Sequence, residues 1–358
     1  MKKIDKAMLS AIENGVFPGA SLLVSFNHQT VYAKSFGVTR LQDGKNINNA
    51  TIFDLASLTK PLATSIAIMH LVQAEKLFLN QPLLEIFSET DQKDKIAITI
   101  QHLLCHNSGL PAHRPYYETL IHEQPHKRKH LLLKKILNEP LIYPIEQKTV
   151  YSDLGFMLLD AVIQKVSGYR LDDYIQKNIY QPLGIEKLFF IDLLKEHHWP
   201  TDAFAATEHC PWRKKTIIAE VHDDNAYAVG GICGHAGLFG TIHDVYQILD
   251  QLLAIYNGHA AKQNIVHRKW VQRFLTVPEN AQRALGFDVP TPPQSSSGQF
   301  FSENSVGHLG FTGTSFWVDL DRSIIIILLS NRVHPNRNNN KIRAFRPIIH
   351  DMIMQSIV

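Results

Sequence analysis

Ser57 and Lys60, three residues apart in the run Asp54-Leu55-Ala56-Ser57-Leu58-Thr59-Lys60-Pro61, are the pair in this 358-residue chain whose types and spacing best suit covalent chemistry. A serine hydroxyl is a poor nucleophile until a neighbouring base takes its proton, and a neutral lysine can be that base. No other Ser-x-x-Lys occurs in the chain. The residues after Ser57 are apolar at helical spacing, and Pro61 is tolerated only in a helix's first turn. Ser57 is therefore expected at a helix N-terminus with Lys60 on the same face. The positive end of the helix dipole disfavours a cation, which predicts a lysine pushed towards its neutral, basic form. Serine is also a favoured N-cap, so the pair alone leaves a purely structural role open.

Two further segments follow: YSDLGFMLLDAVIQKVSG from Tyr151 and GHLGFTGTSFWVDL from Gly307. Together with FDLASLTKPLAT they resemble, in order and spacing, the penicillin-recognising serine hydrolases, and most closely the class C β-lactamase and esterase branch. GVFPGASLLVSF, HLLCHNSGLP, GHAGLFGT and LLSNRVHP resemble that branch's connecting segments, so the likeness covers nearly the whole chain. It implies that Ser57 is the nucleophile, Lys60 its lysine partner and Tyr151 the tyrosine of the family's Tyr-x-Asn element. It also implies an oxyanion hole made from the backbone N–H groups of Ser57 and Phe311, no cofactor and no metal.

This chain departs from the family pattern at two places. Asp153 stands where asparagine is commonest, and His308-Leu309-Gly310 replaces the usual Lys-Thr-Gly. An ionised Asp153 near Lys60 favours the ammonium and shifts proton abstraction towards Tyr151. His308 exchanges a fixed cation for one that titrates at about 6.5, so recognition of carboxylate-bearing substrates is expected to weaken and to follow pH. His308, Leu309 and Gly310 are the expected substrate-binding positions.

The segments that must hold these residues suggest a nested plan. Apolar β-rich runs lie near the start, at Ala20 to Ser25 and Thr30 to Phe36, and near the end, at Gly313 to Leu320 and Ser323 to Ser330, with helical patterns between. The expected fold is α+β: an antiparallel sheet built from both termini and flanked by helices, with a mainly helical lobe inserted. The lobes are placed at about 1–56 with 205–358, and at 57–204, within one catalytic unit. MKKIDKAMLSAIENGVFPG reads as a short amphipathic helix rather than an export signal, because Asp5, Glu13 and Asn14 interrupt any apolar region. TPPQSSSGQ from Thr291 and NRNNN from Asn336 read as surface loops.

Composition narrows the partners. A net charge of +3 is too mild to argue for nucleic acid, and no apolar run approaches a membrane span. Three cysteines, Cys105, Cys210 and Cys233, form no Cys-x-x-Cys and suit reduced thiols, so a cytoplasmic location is expected, or a periplasmic one if an export signal has been removed. His102 and His106, and likewise His126 and His130, have only two-ligand spacing, which leaves a zinc site incomplete; the run 126–130 reads as a solvated helix face. His222 and His235, by resemblance, border the cleft; a structural role is favoured for both, with substrate contact as the alternative. The expected function is ester or amide cleavage of a small molecule or peptide through an acyl-Ser57 intermediate, of esterase or D-amino-acid peptidase type. The alternatives are a β-lactamase proper and, from another class, a penicillin-binding sensor or inactive scaffold.

Overall fold

The computed structural model describes residues 1–87, 95–196, 199–259 and 265–357. Ten strands are present among them: β1 (Gly19–Phe26), β2 (Gln29–Gly37), β3 (Phe53–Asp54), β4 (Leu188–Phe190), β5 (His209–Cys210), β6 (Lys215–Thr216), β7 (Leu238–Gly240), β8 (Ser305–Leu309), β9 (Ser315–Asp319) and β10 (Ile324–Ser330). Five of them form one antiparallel sheet in the order β2-β1-β10-β9-β8, so strands from both ends of the chain meet at the β1–β10 pairing. Smaller sheets, β3-β7-β4 and β5-β6, sit on the segments between.

Alternation along the central strands explains the layers. Ala20, Leu22 and Val24 of β1, with Ile324, Ile326 and Leu328 of β10, pack on one face against Ile4 and Met8 of the N-terminal helix Lys2–Glu13 and Ile349, Ile353 and Met354 of the C-terminal helix Ile342–Ile357. Leu23, Ile325, Ile327 and Leu329 point the other way and join the larger core, which runs on without a break into the helices Ile66–Gln73 and Asp153–Ser167. The aliphatic run from Ile324 is the buried strand its β-branched residues predict. Among the described residues no helix is long and apolar enough to cross a membrane.

Three local outcomes differ from simple sequence patterns. The third motif, expected only as a site, is the edge strand β8, whose Gly307 lies against the Trp317 ring where a Cβ would be 2.4 Å from a ring carbon. The turn after Ser57 begins as a 3-10 helix (Ala56–Leu58) and widens to a π-helical stretch (Lys60–Ser65) before regular α-helix starts at Ile66. Within the helix Pro125–Leu137, residues 126–130 are mostly solvated, but Lys129 reaches inward to Asp160 at 2.9 Å.

Candidate active site

Ser57 is presented by a strained turn. Ala56 adopts the left-handed region at φ 48°, which costs a non-glycine residue about 1–3 kcal/mol and persists only where the surroundings enforce it. Asp54 does the enforcing: one carboxylate oxygen accepts the Ala56 N–H at 2.8 Å and the other the His222 N–H at 2.7 Å. Burial pushes the Asp54 carboxyl pKa up, against those two backbone donors. The loop after β8 is tied to the same turn, with the Thr312 hydroxyl donating to the Asp54 carbonyl at 2.7 Å and the Thr314 hydroxyl to the Leu55 carbonyl at 3.0 Å. Gly310 lies so close that a Cβ would stand 1.9 Å from Thr314 Oγ1 and 2.7 Å from the Leu55 carbonyl. Ser57 and the third motif are thereby held in one frame.

Lys60 is fully buried and its three donors are all engaged: Ser57 Oγ at 3.1 Å, Asp153 Oδ1 at 2.7 Å and the His235 carbonyl at 3.3 Å. Its Nζ also lies 4.7 Å from the Tyr151 ring centre. Burial alone lowers the lysine pKa, but the Asp153 carboxylate, with Tyr151 beside it, outweighs burial, and the pKa stands above its ordinary value. Of the two opposing expectations, the ammonium favoured by Asp153 prevails over the dipole-depressed, neutral lysine. The carboxylate 2.7 Å away dominates the helix-end charge because a full charge in direct contact exceeds about half a charge spread over a helix terminus. Burial raises the Asp153 pKa, yet Lys60, His113 and His235 together hold it well below the carboxylate range. His113, which the motifs do not mark, supplies the outer end of this chain of charges: half-exposed, it stands 3.6 Å from Asp153 Oδ2, and that contact raises its pKa.

Tyr151 is placed by its neighbours. The N–H of Ser152 donates to His106 Nδ1 at 3.0 Å, and the His106 ring packs 4.6 Å from that of Tyr151. The Ser152 side chain caps the helix Asp153–Ser167 through the Gly155 N–H, which brings Asp153 into the first turn beside Lys60. His106 serves packing here, and no metal-ligating cluster is present among the described residues.

Ser57, Tyr151, His308, Leu309, Gly310 and Phe311 line one cleft of about 390 Å³. The Phe311 N–H has no protein acceptor among the described residues, as an oxyanion donor requires. His308 Nδ1 lies 2.9 Å from the Leu309 carbonyl, which can only accept, so the neutral ring carries its proton on Nδ1 and leaves a buried lone pair on Nε2. Burial, with Lys60 and Arg283 nearby, pushes the His308 pKa well below the usual imidazole value. The titration expected at about 6.5 is thus displaced to lower pH. Accordingly, the preference for carboxylate-bearing over neutral substrates is expected to stay constant between about pH 6 and pH 8. A kcat/KM ratio that falls steeply over that interval would show His308 to be charged in the cleft.

Two further histidines take structural places. His235 is enclosed, with Nε2 2.9 Å from Asp223 Oδ1, and it serves the cleft through its carbonyl on Lys60 rather than by substrate contact. Burial disfavours its charge, but Asp223 overrides this and raises its pKa well above the ordinary value. His222 is buried too, and its ring stacks on Phe311 at 5.5 Å. The cleft is also not short of cations: Arg283, Arg332, Arg343 and Arg346 line it. They come from three separate segments with no shared motif, and only Arg332, inside LLSNRVHP, falls in a recognisable stretch.

The beta-lactamase family model matches residues 4–348. The chain is 30% identical over 377 residues to a putative D-alanyl-D-alanine carboxypeptidase of Escherichia coli (strain K12), covering 95% of this chain and 85% of that protein. A protein of the same name from Salmonella agona (strain SL483) is 30% identical over 371 residues, with 96% and 85% covered. In fold the chain is similar to an octameric penicillin-binding protein homologue from Pyrococcus abyssi, with a TM-score of 0.76, 21% identity and 99% and 77% of the two chains covered. It is similar in the same way to EstCE1, a hydrolase with promiscuous acyltransferase activity, with a TM-score of 0.73, 20% identity and 97% and 98% covered. With this likeness extending over almost every residue, the chain belongs to the beta-lactamase family and is a serine hydrolase.

Proposed function

We propose that the enzyme is a D-amino-acid peptidase that cleaves the amide before a carboxylate-bearing residue through an ester on Ser57. The observation that carries the acyl-serine step is the Lys60 ammonium, which joins Ser57 Oγ to Asp153 beside Tyr151. The substrate carbonyl sits between the N–H groups of Ser57 and Phe311, donors that lower the barrier by roughly 3 kcal/mol each. Ser57 Oγ bonds to the carbonyl carbon while its proton passes to the Tyr151–Lys60 pair. An ammonium has no lone pair, so Tyr151, entering as a phenolate held by that ammonium, takes the proton and, as the phenol, returns it to the departing amine as the C–N bond breaks. Water then attacks the ester with the same pair as base, freeing the acid and restoring Ser57. His308 Nε2 accepts a hydrogen bond from a substrate N–H or hydroxyl.

The substrate choice is supported by the cationic lining of the cleft and by the name carried by the E. coli and Salmonella relatives. The test is to incubate the protein with an N-acylated D-alanyl-D-alanine peptide, a chromogenic cephalosporin and a neutral nitrophenyl ester, following turnover and intact mass. The peptide should be turned over with a higher kcat/KM than the cephalosporin. Faster cephalosporin hydrolysis than peptide hydrolysis would make the protein a β-lactamase proper, and a lasting adduct without turnover would make it a sensor.

A further inference from the structure

Several arginines of this protein are paired with carboxylates. Arg213 meets Glu220 and Asp224, Arg170 meets Asp172 and Asp192, and Arg337 meets Glu208 and Asp224. Along one wall of the catalytic cleft three are not. Arg332, Arg343 and Arg346 have no carboxylate partner among the described residues, while Arg283 on the same cleft does have one, Asp288 at 3.2 Å. Arg346 is only 5% exposed, and its guanidinium donates to two backbone carbonyls, Thr314 at 2.8 Å and Gly310 at 3.3 Å, leaving Nε without a partner. Arg332 is equally buried and also spends its donors on carbonyls, of Phe311, Arg337 and Asn339. A buried cation without a counter-charge is costly, so Arg332 and Arg346, with the exposed Arg343 beside them, point to an anion that arrives with the substrate.

Their placement on the chain adds to the case. Arg343 and Arg346 lie in the first turns of the C-terminal helix, where the helix dipole already disfavours positive charge. They also open onto a second chamber of about 550 Å³, lined by the loop from Pro293 to Gln299 and contiguous with the catalytic cleft through Leu309, Arg343 and Arg346. Asp351, the acidic residue on that chamber's wall, holds the Gln299 N–H at 2.6 Å.

From this geometry we infer a second acid-binding subsite, formed by Arg343 and Arg346 between β8 and the C-terminal helix, that takes a doubly anionic substrate residue: one carboxylate beside the scissile bond and a second acid group in the outer chamber. The chemical class is a peptide ending in an acidic D-residue, in which Arg332 and Arg346 face the inner carboxylate and Arg343 with Arg346 the outer acid. Three unpaired guanidinium groups exceed what a single carboxylate neutralises. The inference rests on the peptidase reading above and names the residue that leaves.

Binding to the Ser57→Ala protein separates recognition from chemistry. Calorimetry with N-acetyl-D-alanyl-D-glutamate and its D-glutamine counterpart should show the glutamate peptide binding at least about tenfold tighter, the value of a charge-assisted hydrogen bond. The O-phospho-D-serine peptide binding equally well or better would identify phosphate as the second acid, and weaker binding would identify a carboxylate. Arg343→Gln, which alters an exposed side chain with no partner, should shrink the glutamate preference to less than about threefold. Arg346→Gln should do the same, with circular dichroism confirming the fold. Equal affinity for the two peptides, or a preference that survives in both arginine variants, overturns the subsite. If none of the D-peptides binds at all, the peptidase reading falls with it.

Discussion

Ser57→Ala is expected to lower turnover of every substrate by at least about 10⁴-fold, the scale on which removing a covalent nucleophile acts in a serine hydrolase. The fold should survive, because the frame around the turn is built from backbone groups and from Asp54, Thr312 and Thr314, none of which bonds the Ser57 hydroxyl. Lys60 keeps Asp153 and the His235 carbonyl in the variant. A fluorophosphonate should therefore label the native protein once, on Ser57, and leave the alanine variant unlabelled at unchanged melting temperature. A label on Ser108 or Ser152, or esterase activity within tenfold of native in the variant, would place the nucleophile elsewhere.

Asp153→Ala is expected to act on stability and catalysis together, since it leaves a wholly buried ammonium facing an empty space. Stranding one partner of a buried ion pair costs about 3–5 kcal/mol, whereas replacing both by apolar groups is often neutral. Asp153→Ala should thus unfold at distinctly lower denaturant concentration, and Lys60→Met with Asp153→Leu should recover most of the loss. The double variant should still be inactive, with acylation down by at least about 10²-fold, the contribution of a positioned base. Tyr151→Phe should reach a similar loss and add little to it, because the groups act as a unit.

The sign of the pH dependence follows from the same pair. Asp153 has a depressed pKa in the folded protein, so its contribution is present above the unfolded carboxylate value of about 4 and is lost as pH falls through the lower folded value. Lys60 has a raised pKa, so its contribution is complete below the unfolded value of about 10.5 and is lost as pH rises through the higher folded value. Native and apolar double-variant proteins should therefore differ least in pH dependence between about pH 4 and pH 10, and diverge at both ends. Parallel stability curves down to acid pH would show that the ion pair is not formed.

What the sequence disclosed were features carried by local pattern. The β1, β2, β9 and β10 strands are runs of apolar and β-branched residues, and the N-terminal helix shows its buried stripe at Ile4, Met8 and Ala11. The grouping of Ser57, Lys60, Tyr151, Asp153 and His308 was also open to sequence, through three short motifs. The protonation states were not, because they depend on distances across long separations in the chain: Lys60 to Asp153 spans 93 positions, and the burial that silences His308 comes from segments with no common pattern. The arginine wall escaped for a like reason, since Arg283, Arg332 and Arg346 become neighbours only when the C-terminal helix packs against the sheet. His113 and Asp54 gave no sign at all; each is an ordinary residue type whose importance is its partner.

That β8 is an edge strand bears on how a substrate is read. Gly307 turns its N–H and carbonyl outward to Asp288, at 2.9 and 2.7 Å, and strand alternation turns the Leu309 N–H to the same open side. Beyond that bridge the Leu309 N–H is left to pair with the backbone of an extended peptide. Ladder bonds of this kind register chain direction and the handedness of each α-carbon while staying nearly blind to side-chain identity. Selectivity for D over L residues would then arise from the sheet's geometry rather than from any pocket.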